Sequence, residues 1–468
     1  MRASFRVKGG ADANLPPPGG SAARPLMPAS PPAPAPPPPN PAAAPPPARL
    51  HECAGCGQVQ RVPHLHPGEA ARCRRCDGML RQGRADPLGR GLALGLAALV
   101  LLGIACVATL MQVSTVGMVR ATDLLEAPEA MGASGLWVLT AVVLGATVVA
   151  PVLRLSALCT VLAGLRLARP PRLLRRLFTL SERLRPWAMA EVMLLGVLIA
   201  YSKLVDLVHV DIGVALYALG LLVLLTVAAE VALDPHAVWE EMERRGVPPL
   251  RIDHHAPLRA AEGVVGCHVC GLVCLPEEHD RPCPRCGSRL HPRKPDALAR
   301  AWALLIAGAI LYVPANAYPV MQVIQLGAGQ PSTILGGVVE LMEGGLYPLA
   351  ALVFVASVVV PVLKLLGLAV LLVACQRGAR GRLRDRTRLY GAVNFIGRWS
   401  MIDIFMETIL VALVQFGAVV RILPGPGAVA FCAVVILTML AAESFDPRLM
   451  WDSAGANGPA AAARIRRR

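Results

Sequence analysis

The chain has 468 residues, a formal net charge of +15, a hydrophobic content of 55% and a mean hydropathy of +0.53. Its apolar excess comes in blocks of about twenty residues, each long enough to cross roughly 30 Å of hydrocarbon, and a soluble core has no use for such blocks. The basic residues fall between the blocks instead of striping a soluble face, which excludes nucleic acid as their partner and makes them a topology signal.

Residues 1–50 lack an apolar signal region and carry a Pro/Ala-rich run from Pro31 to Pro47. They read as a disordered cytoplasmic arm of polyproline character. Residues 51–86 hold Cys53-x2-Cys56-x16-Cys73-x2-Cys76, and the linker segment 241–294 holds Cys267-x2-Cys270-x12-Cys283-x2-Cys286. Two facing CxxC knuckles supply four thiolates to one tetrahedral ion, so each segment predicts a closed, structural zinc ribbon, two Zn²⁺ in all. Iron in a rubredoxin-like site is the competing occupant. A thioredoxin-like redox reading fits less well, because two CxxC pairs in a fixed frame suit a metal and no βαβ pattern surrounds them. Thiolates of this kind require a reducing compartment. Cys106, Cys159, Cys274, Cys375 and Cys432 are read as small hydrophobes with no chemistry.

Apolar runs predict membrane helices near 92–112, 135–165, 187–208 and 212–233 in a first module, 87–240, and near 298–315, 346–374, 399–420 and 428–443 in a second, 295–452. Residues 453–468 read as a basic disordered tail. The fold class expected is an all-α integral membrane protein of two tandem four-helix transmembrane modules, each preceded by a small cytoplasmic zinc ribbon. Twelve Lys and Arg lie in 1–91, seven in 166–186 and seven in 375–398, against Arg120 and Arg421 alone in the alternate loops, which places both termini in the cytoplasm. Pro151-Val-Leu-Arg-Leu recurs as Pro361-Val-Leu-Lys-Leu at an offset of 210, and Trp187 to Glu191 answers Trp399 to Asp403. Four helices per copy make this a parallel repeat, with substrate expected between the halves.

Ionisable groups in lipid cost at least about 2.5–3.5 kcal/mol at a helix centre, so each needs a partner, a polar cavity or a route to the surface. Lys203 and Asp206, three residues apart, either neutralise one another or snorkel outward. Ser357 and Lys364 share a face two turns apart, with Arg154 the repeat counterpart of Lys364, and snorkelling competes with function there too. Asp403, Glu407, Thr438 and Glu443 complete the transport-path candidates, with Glu407 deepest in its helix. No catalytic constellation stands out, so a non-enzymatic role is expected, and no GxxxxGK[ST] motif offers ATP as an energy source.

The duplicated CxxC ribbon, the Pro-Val-Leu-[Arg/Lys]-Leu kink, the stretch Arg398 to Phe405 and the ending Glu443 to Arg448 together resemble the paraquat-inducible protein A family over roughly residues 50–452. The first module departs from the family pattern at Arg185-Pro-Trp-Ala-Met-Ala. The resemblance implies a multi-pass protein of the bacterial inner membrane that loads lipid into, or receives it from, a periplasm-spanning tunnel of mammalian-cell-entry (MCE) domain protein, with membrane lipid and that tunnel as partners. Two other function classes stay open on the residues alone: a proton-coupled secondary transporter of a small solute, and a metal- or redox-responsive membrane scaffold.

Overall fold

The computed structural model describes residues 49–63, 65–115, 118–133, 135–205, 209–247, 264–274, 281–325, 328–415 and 420–457. Asp206 and the proline arm through residue 48 lie outside the described residues. The first ribbon consists of two hairpins, β1 (Arg49–Glu52) with β2 (Val59–Val62) and β3 (Ala70–Arg72) with β4 (Met79–Gln82). The chain continues as α1 (Pro87–Val107), β5 (Met111–Thr115), β6 (Met118–Thr122), α2 (Glu126–Ala133), α3 (Trp137–Leu144) and α4 (Ala150–Gly164). It then forms α5 (Leu173–Leu184), α6 (Ala190–Leu204), β7 (His209–Ile212), α7 (Val214–Ala232) and α8 (Pro235–Arg244). The second ribbon contributes β8 (Val265–Gly266) and β9 (Val273–Cys274).

The second half repeats this order element for element. It runs α9 (Ala297–Ala317), β10 (Met321–Gln325), β11 (Ala328–Ser332), α10 (Ile334–Glu343), α11 (Tyr347–Phe354) and α12 (Val360–Gln376). It ends with α13 (Leu383–Trp399), α14 (Ile402–Leu413), β12 (Val420–Pro424), α15 (Pro426–Ser444) and α16 (Arg448–Ser453). Each half carries a three-stranded antiparallel sheet, β6-β5-β7 and β11-β10-β12, so the all-α expectation is corrected to a mostly helical fold with small sheets. The strands carry a repeat of their own, Met111-Gln-Val against Met321-Gln-Val, on short segments where polar and apolar residues alternate.

α3 and α4 form one long helix through a π-helical turn at Gly145–Val149, and α11 and α12 do the same through Val355–Val359. Pro151 and Pro361 follow these turns directly. Proline lacks the N–H that an α-helix needs and its ring crowds the preceding turn, and a widened turn absorbs both faults. The turns carry Thr147 and Ser357, buried polar residues that donate to Val143 O at 2.8 Å and Val353 O at 2.7 Å.

Among the described residues six helices are long and apolar enough to cross a membrane: Pro87–Val107, Trp137–Gly164, Val214–Ala232, Ala297–Ala317, Tyr347–Gln376 and Pro426–Ser444. The third and seventh expected spans are shorter than the hydropathy suggested. α6 has 15 residues and α14 has 12. At 1.5 Å per residue they reach about 22 and 18 Å, because the apolar runs end in non-helical backbone that leads into β7 and β12. These two helices pack on one another at the centre of the molecule, where Gly196 of α6 meets Phe405 and Met406 of α14. Every residue of α14 except Asp403 is buried. Enclosed by protein, α14 does not have to match the bilayer thickness, whereas α6 keeps an exposed face at Leu198 and Ser202.

The ribbons are exchanged between the halves. Cys53, Cys56, Cys73 and Cys76 share an apolar cluster with Leu368, Leu372, Phe445 and Trp451 of the second half, whereas Cys267, Cys270, Cys283 and Cys286 share one with Leu158, Leu162, Phe178 and Trp239 of the first. Equivalent arginines secure the two dockings. Arg384 of α13 donates to Arg75 O at 2.6 Å, and Arg175 of α5 donates to Arg285 O at 3.2 Å. Residues 454–457, expected in the disordered tail, instead turn back onto the first ribbon, where the Asn457 amide donates to Cys56 O at 3.1 Å.

Candidate functional site

Four equivalent knuckles build two thiolate centres. In each, the residue after the CxxC pair donates its N–H to the carbonyl of the first cysteine: Gly57 to Cys53, Asp77 to Cys73, Gly271 to Cys267 and Gly287 to Cys283, at 2.8–2.9 Å. That residue adopts positive φ, 75° at Gly57 and 62° at Asp77, so three knuckles use glycine and one uses aspartate, which tolerates the left-handed region better than most residues. Gly78 follows Asp77, one place after the position that takes the positive φ.

The four Sγ atoms of each centre lie within 4.8 Å of one another and all eight cysteines are buried. Sγ–Sγ separations are 3.5 Å for Cys53–Cys76, Cys56–Cys73 and Cys267–Cys286, and 3.6 Å for Cys270–Cys283. A tetrahedron with Zn–S bonds of about 2.3 Å puts its sulfurs about 3.7 Å apart, so both donor sets fit a four-thiolate ion. Either set can hold a metal ion. With four thiolates on the ion, its role is to fix the ribbon fold. Cys274, assigned no chemistry from sequence, lies buried in β9 in the apolar cluster that holds the second thiolate set.

A buried charge network ties both ribbons to the second half. Arg448 donates to Glu52 at 2.8 Å and to both Asp446 oxygens at 3.0 and 2.9 Å. Arg293 of the second ribbon reaches Glu52 at 3.1 Å and Asp452 at 2.7 Å, and Glu52 accepts Gly266 N–H at 2.8 Å. The Glu443–Arg448 stretch thus serves as the anchor of both ribbons. Of the histidines beside the knuckles, His268 is exposed and His51 is buried. His51 is buried in an edge-to-face contact with His236, and burial followed by the His236 charge holds its pKa down to about 4. His268 contacts Arg448, and desolvation of its ring followed by that charge brings it to about 4 as well.

Several of the expected transport-path residues converge where α6 meets α14. Lys203, half-buried, lies within electrostatic range of Asp403 and Glu407 across the interface between the halves, and Ser357 of the π-helical turn, whose hydroxyl donates to Val353 O, lies near Asp403. Glu407 is 3% exposed, and its Oε1 has no hydrogen-bond partner among the described residues. The neighbouring Thr408 bonds to Ile404 O at 2.6 Å and touches Met131 Sδ of α2.

The remaining candidates lie elsewhere. Lys364 is buried and donates to Gly397 O at 3.4 Å beneath α13, so the snorkelling route is closed to it. Its counterpart Arg154 pairs with Glu230 at 2.5 Å. Thr438 bonds back to its own helix at Val434 O and faces Gly308 of α9. Glu443 is exposed, and its carbonyl accepts from Lys294. Spacing along one helix could not reveal Lys203 beside Asp403, because the partners come from different halves.

The sequence pattern of the family described as paraquat-inducible protein A matches residues 88–243 and 298–455, one stretch in each half. The chain is 34% identical over 412 residues to the intermembrane transport protein PqiA of Escherichia coli K12, covering 86% of this chain and 95% of the relative. It is 31% identical over 405 residues to the lipophilic envelope-spanning tunnel protein A of the same strain, covering 86% and 91%. A probable intermembrane transport protein of Haemophilus influenzae is 27% identical over 411 residues, covering 86% and 96%. No solved structure matches the chain. Two family matches, one to each repeat, on a scaffold of membrane-length helices show that this multi-pass membrane chain belongs to the paraquat-inducible protein A family.

Proposed function

We propose that this chain is the inner-membrane component of an intermembrane lipid transport system, loading lipid into or receiving it from a periplasm-spanning MCE tunnel. The observation that carries the reading is the cluster of buried Glu407 with half-buried Lys203 and Asp403 at the contact between the two halves. A chain that only anchors helices has no reason to keep an unpartnered carboxylate oxygen there, at a cost of several kcal/mol on the order of a lost buried hydrogen bond or more. The names of the relatives, intermembrane transport and lipophilic envelope-spanning tunnel, support the cargo class.

In this reading the ribbons and both termini are cytoplasmic, zinc fills both thiolate centres, and each half crosses the membrane four times. α6 and α14 cross as short segments. The two halves move against one another about α6 and α14, and Ser357, Asp403, Glu407 and Lys203 line the path opened between them. Asp206, Lys364, Thr438 and Glu443 belong to the same proposal as secondary positions.

The test is complementation of outer-membrane detergent sensitivity in a strain lacking the native gene and its redundant homologues, at matched protein level. Glu407→Gln, Asp403→Asn and Lys203→Met should fail to rescue while expressing normally with full metal content. Full rescue by all three removes the cluster from the mechanism. Mass spectrometry of lipid bound to the purified chain separates the lipid reading from transport of a small solute.

A further inference from the structure

A cavity of about 470 Å³ opens between α5 and the second ribbon, with Arg176, Leu180 and Arg183 on one side and Pro282, Cys283 and Gly287 on the other. Cys286, like Cys283 one of the four thiolate ligands of the second ribbon, also borders it, so the cavity lies directly beside the metal centre. Arg176 is exposed to this cavity and makes no hydrogen bond or ion pair among the described residues, and Arg183 spends one donor on Ser288 Oγ at 3.0 Å. Arg281 and Arg289 flank the same knuckle, where Pro282 and Arg289 form a β-bridge, and both are exposed. The nearby acid, Glu243, is already paired with Arg285 at 2.7 Å. Among the described residues the cavity is therefore lined by guanidinium groups with donors to spare and by no carboxylate.

The surroundings decide what kind of anion fits. α5 links the membrane-length helix ending at Gly164 to α6, so it lies at the level where hydrocarbon gives way to headgroups. Along one stripe of α5, exposed Leu173 and Leu180, at 56% and 40%, alternate with Arg176 and Arg183. Apolar side chains that enter the acyl boundary beside arginines at phosphate level are the pattern of an interfacial helix on an anionic leaflet. In the other half the arginines of α13 are already engaged: Arg384 and Arg386 donate to the backbone carbonyls of Arg75 and Ala379.

We propose that this cavity binds the phosphate headgroup of an anionic phospholipid from the leaflet on the ribbon side, with Arg176 and Arg183 as its ligands and Leu173 and Leu180 against its acyl chains. The proposal rests on the helices crossing the membrane and is independent of the cargo. The lipid would hold the second ribbon against α5 and make its seating depend on leaflet charge.

The experiment titrates the purified full-length chain with dihexanoyl phosphatidylglycerol, a soluble anionic phospholipid, by calorimetry, with zinc content measured for each variant. Arg176→Gln with Arg183→Gln should weaken binding about thirtyfold, roughly fivefold for each guanidinium lost. Arg377→Gln with Arg380→Gln, an equal charge change on the ribbon side away from the cavity, should leave it unchanged. Leu180→Trp, which fills the opening from an exposed position and keeps both arginines, should also abolish binding, so the proposal stays testable if the double variant loses zinc. Unchanged affinity in Leu180→Trp, or equal losses in the two double variants, overturns the site. Full competition by inorganic phosphate at the same concentration overturns the lipid as its source.

Discussion

Replacing Arg448 with Met is expected to loosen both ribbons at once. The Arg448 guanidinium is about 4% exposed and holds Asp446, 1% exposed, and Glu52, 7% exposed, so its loss strands two buried carboxylates. Removing one partner of a buried ion pair costs about 3–5 kcal/mol. The lower end applies here, because Glu52 keeps Arg293 and Gly266 N–H while Asp446 keeps the backbone N–H groups of Lys294 and Arg448. A cost of about 3 kcal/mol, at 1.36 kcal/mol per decade, raises the open fraction of the ribbon anchor by about a hundredfold. The assay is the rate of maleimide alkylation of the ribbon cysteines in isolated membranes, read peptide by peptide. Cysteines of both ribbons should react about a hundredfold faster, and adding Glu52→Gln and Asp446→Asn should restore most of the protection by removing the stranded charges. Acceleration below twofold, or confined to one ribbon, would refute the shared anchor.

Changing Cys283 and Cys286 to Ser should lower bound zinc from about two ions per chain to about one, measured by elemental analysis, because the two donor sets are separate. Gly196→Leu should lower thermal stability in detergent by about 1–3 kcal/mol, since the first side-chain carbon there would stand 2.9 Å from Phe405 Cβ; an unchanged midpoint would mean that α6 and α14 do not cross at that point. Burial opposes ionisation of Asp446, but the hydrogen bond and charge of Arg448 prevail and hold its pKa to about 2 against an ordinary 3.8. A pKa lowered on folding stabilises fully above the ordinary value and fades as pH falls through the lowered one. The stability gap between the native chain and Asp446→Asn, followed by alkylation protection, should therefore be flat from neutral pH to about 5 and close below about 4.

Chemistry that repeats over short distances was legible in the letters. CxxC spacing specifies a knuckle because both ligands and the turn between them lie within a few residues, and the Sγ positions bear this out at Cys53 to Cys76 and Cys267 to Cys286. Runs such as Leu92 to Val107 and Leu365 to Val373 are apolar on every face, and the structure places each of them in a membrane-length helix. The runs at 187–208 and 399–420 misled, because hydropathy cannot tell where an apolar helix yields to a strand, and β7 and β12 take their share. The signal that could have found the sheets, Met111-Gln-Val repeating as Met321-Gln-Val, is short and lies beside much stronger helical runs.

Sequence alone determined the two thiolate sets, the membrane helices, the prolines behind the π-helical turns and the fact of duplication, since each rests on contacts within a few turns of chain. Tertiary structure decided which half each ribbon joins and which charges meet. A duplicated chain offers every ribbon two nearly equivalent docking faces, and local pattern cannot choose between α5 and α13, as Arg175 and Arg384 make the same contact in each. The choice falls to long-range packing, with Glu52 held by Arg448 and Lys203 brought beside Asp403 and Glu407. The second of these pairings depends on how the α6 and α14 surfaces fit at Gly196, a complementarity between distant segments that spacing along the chain does not encode.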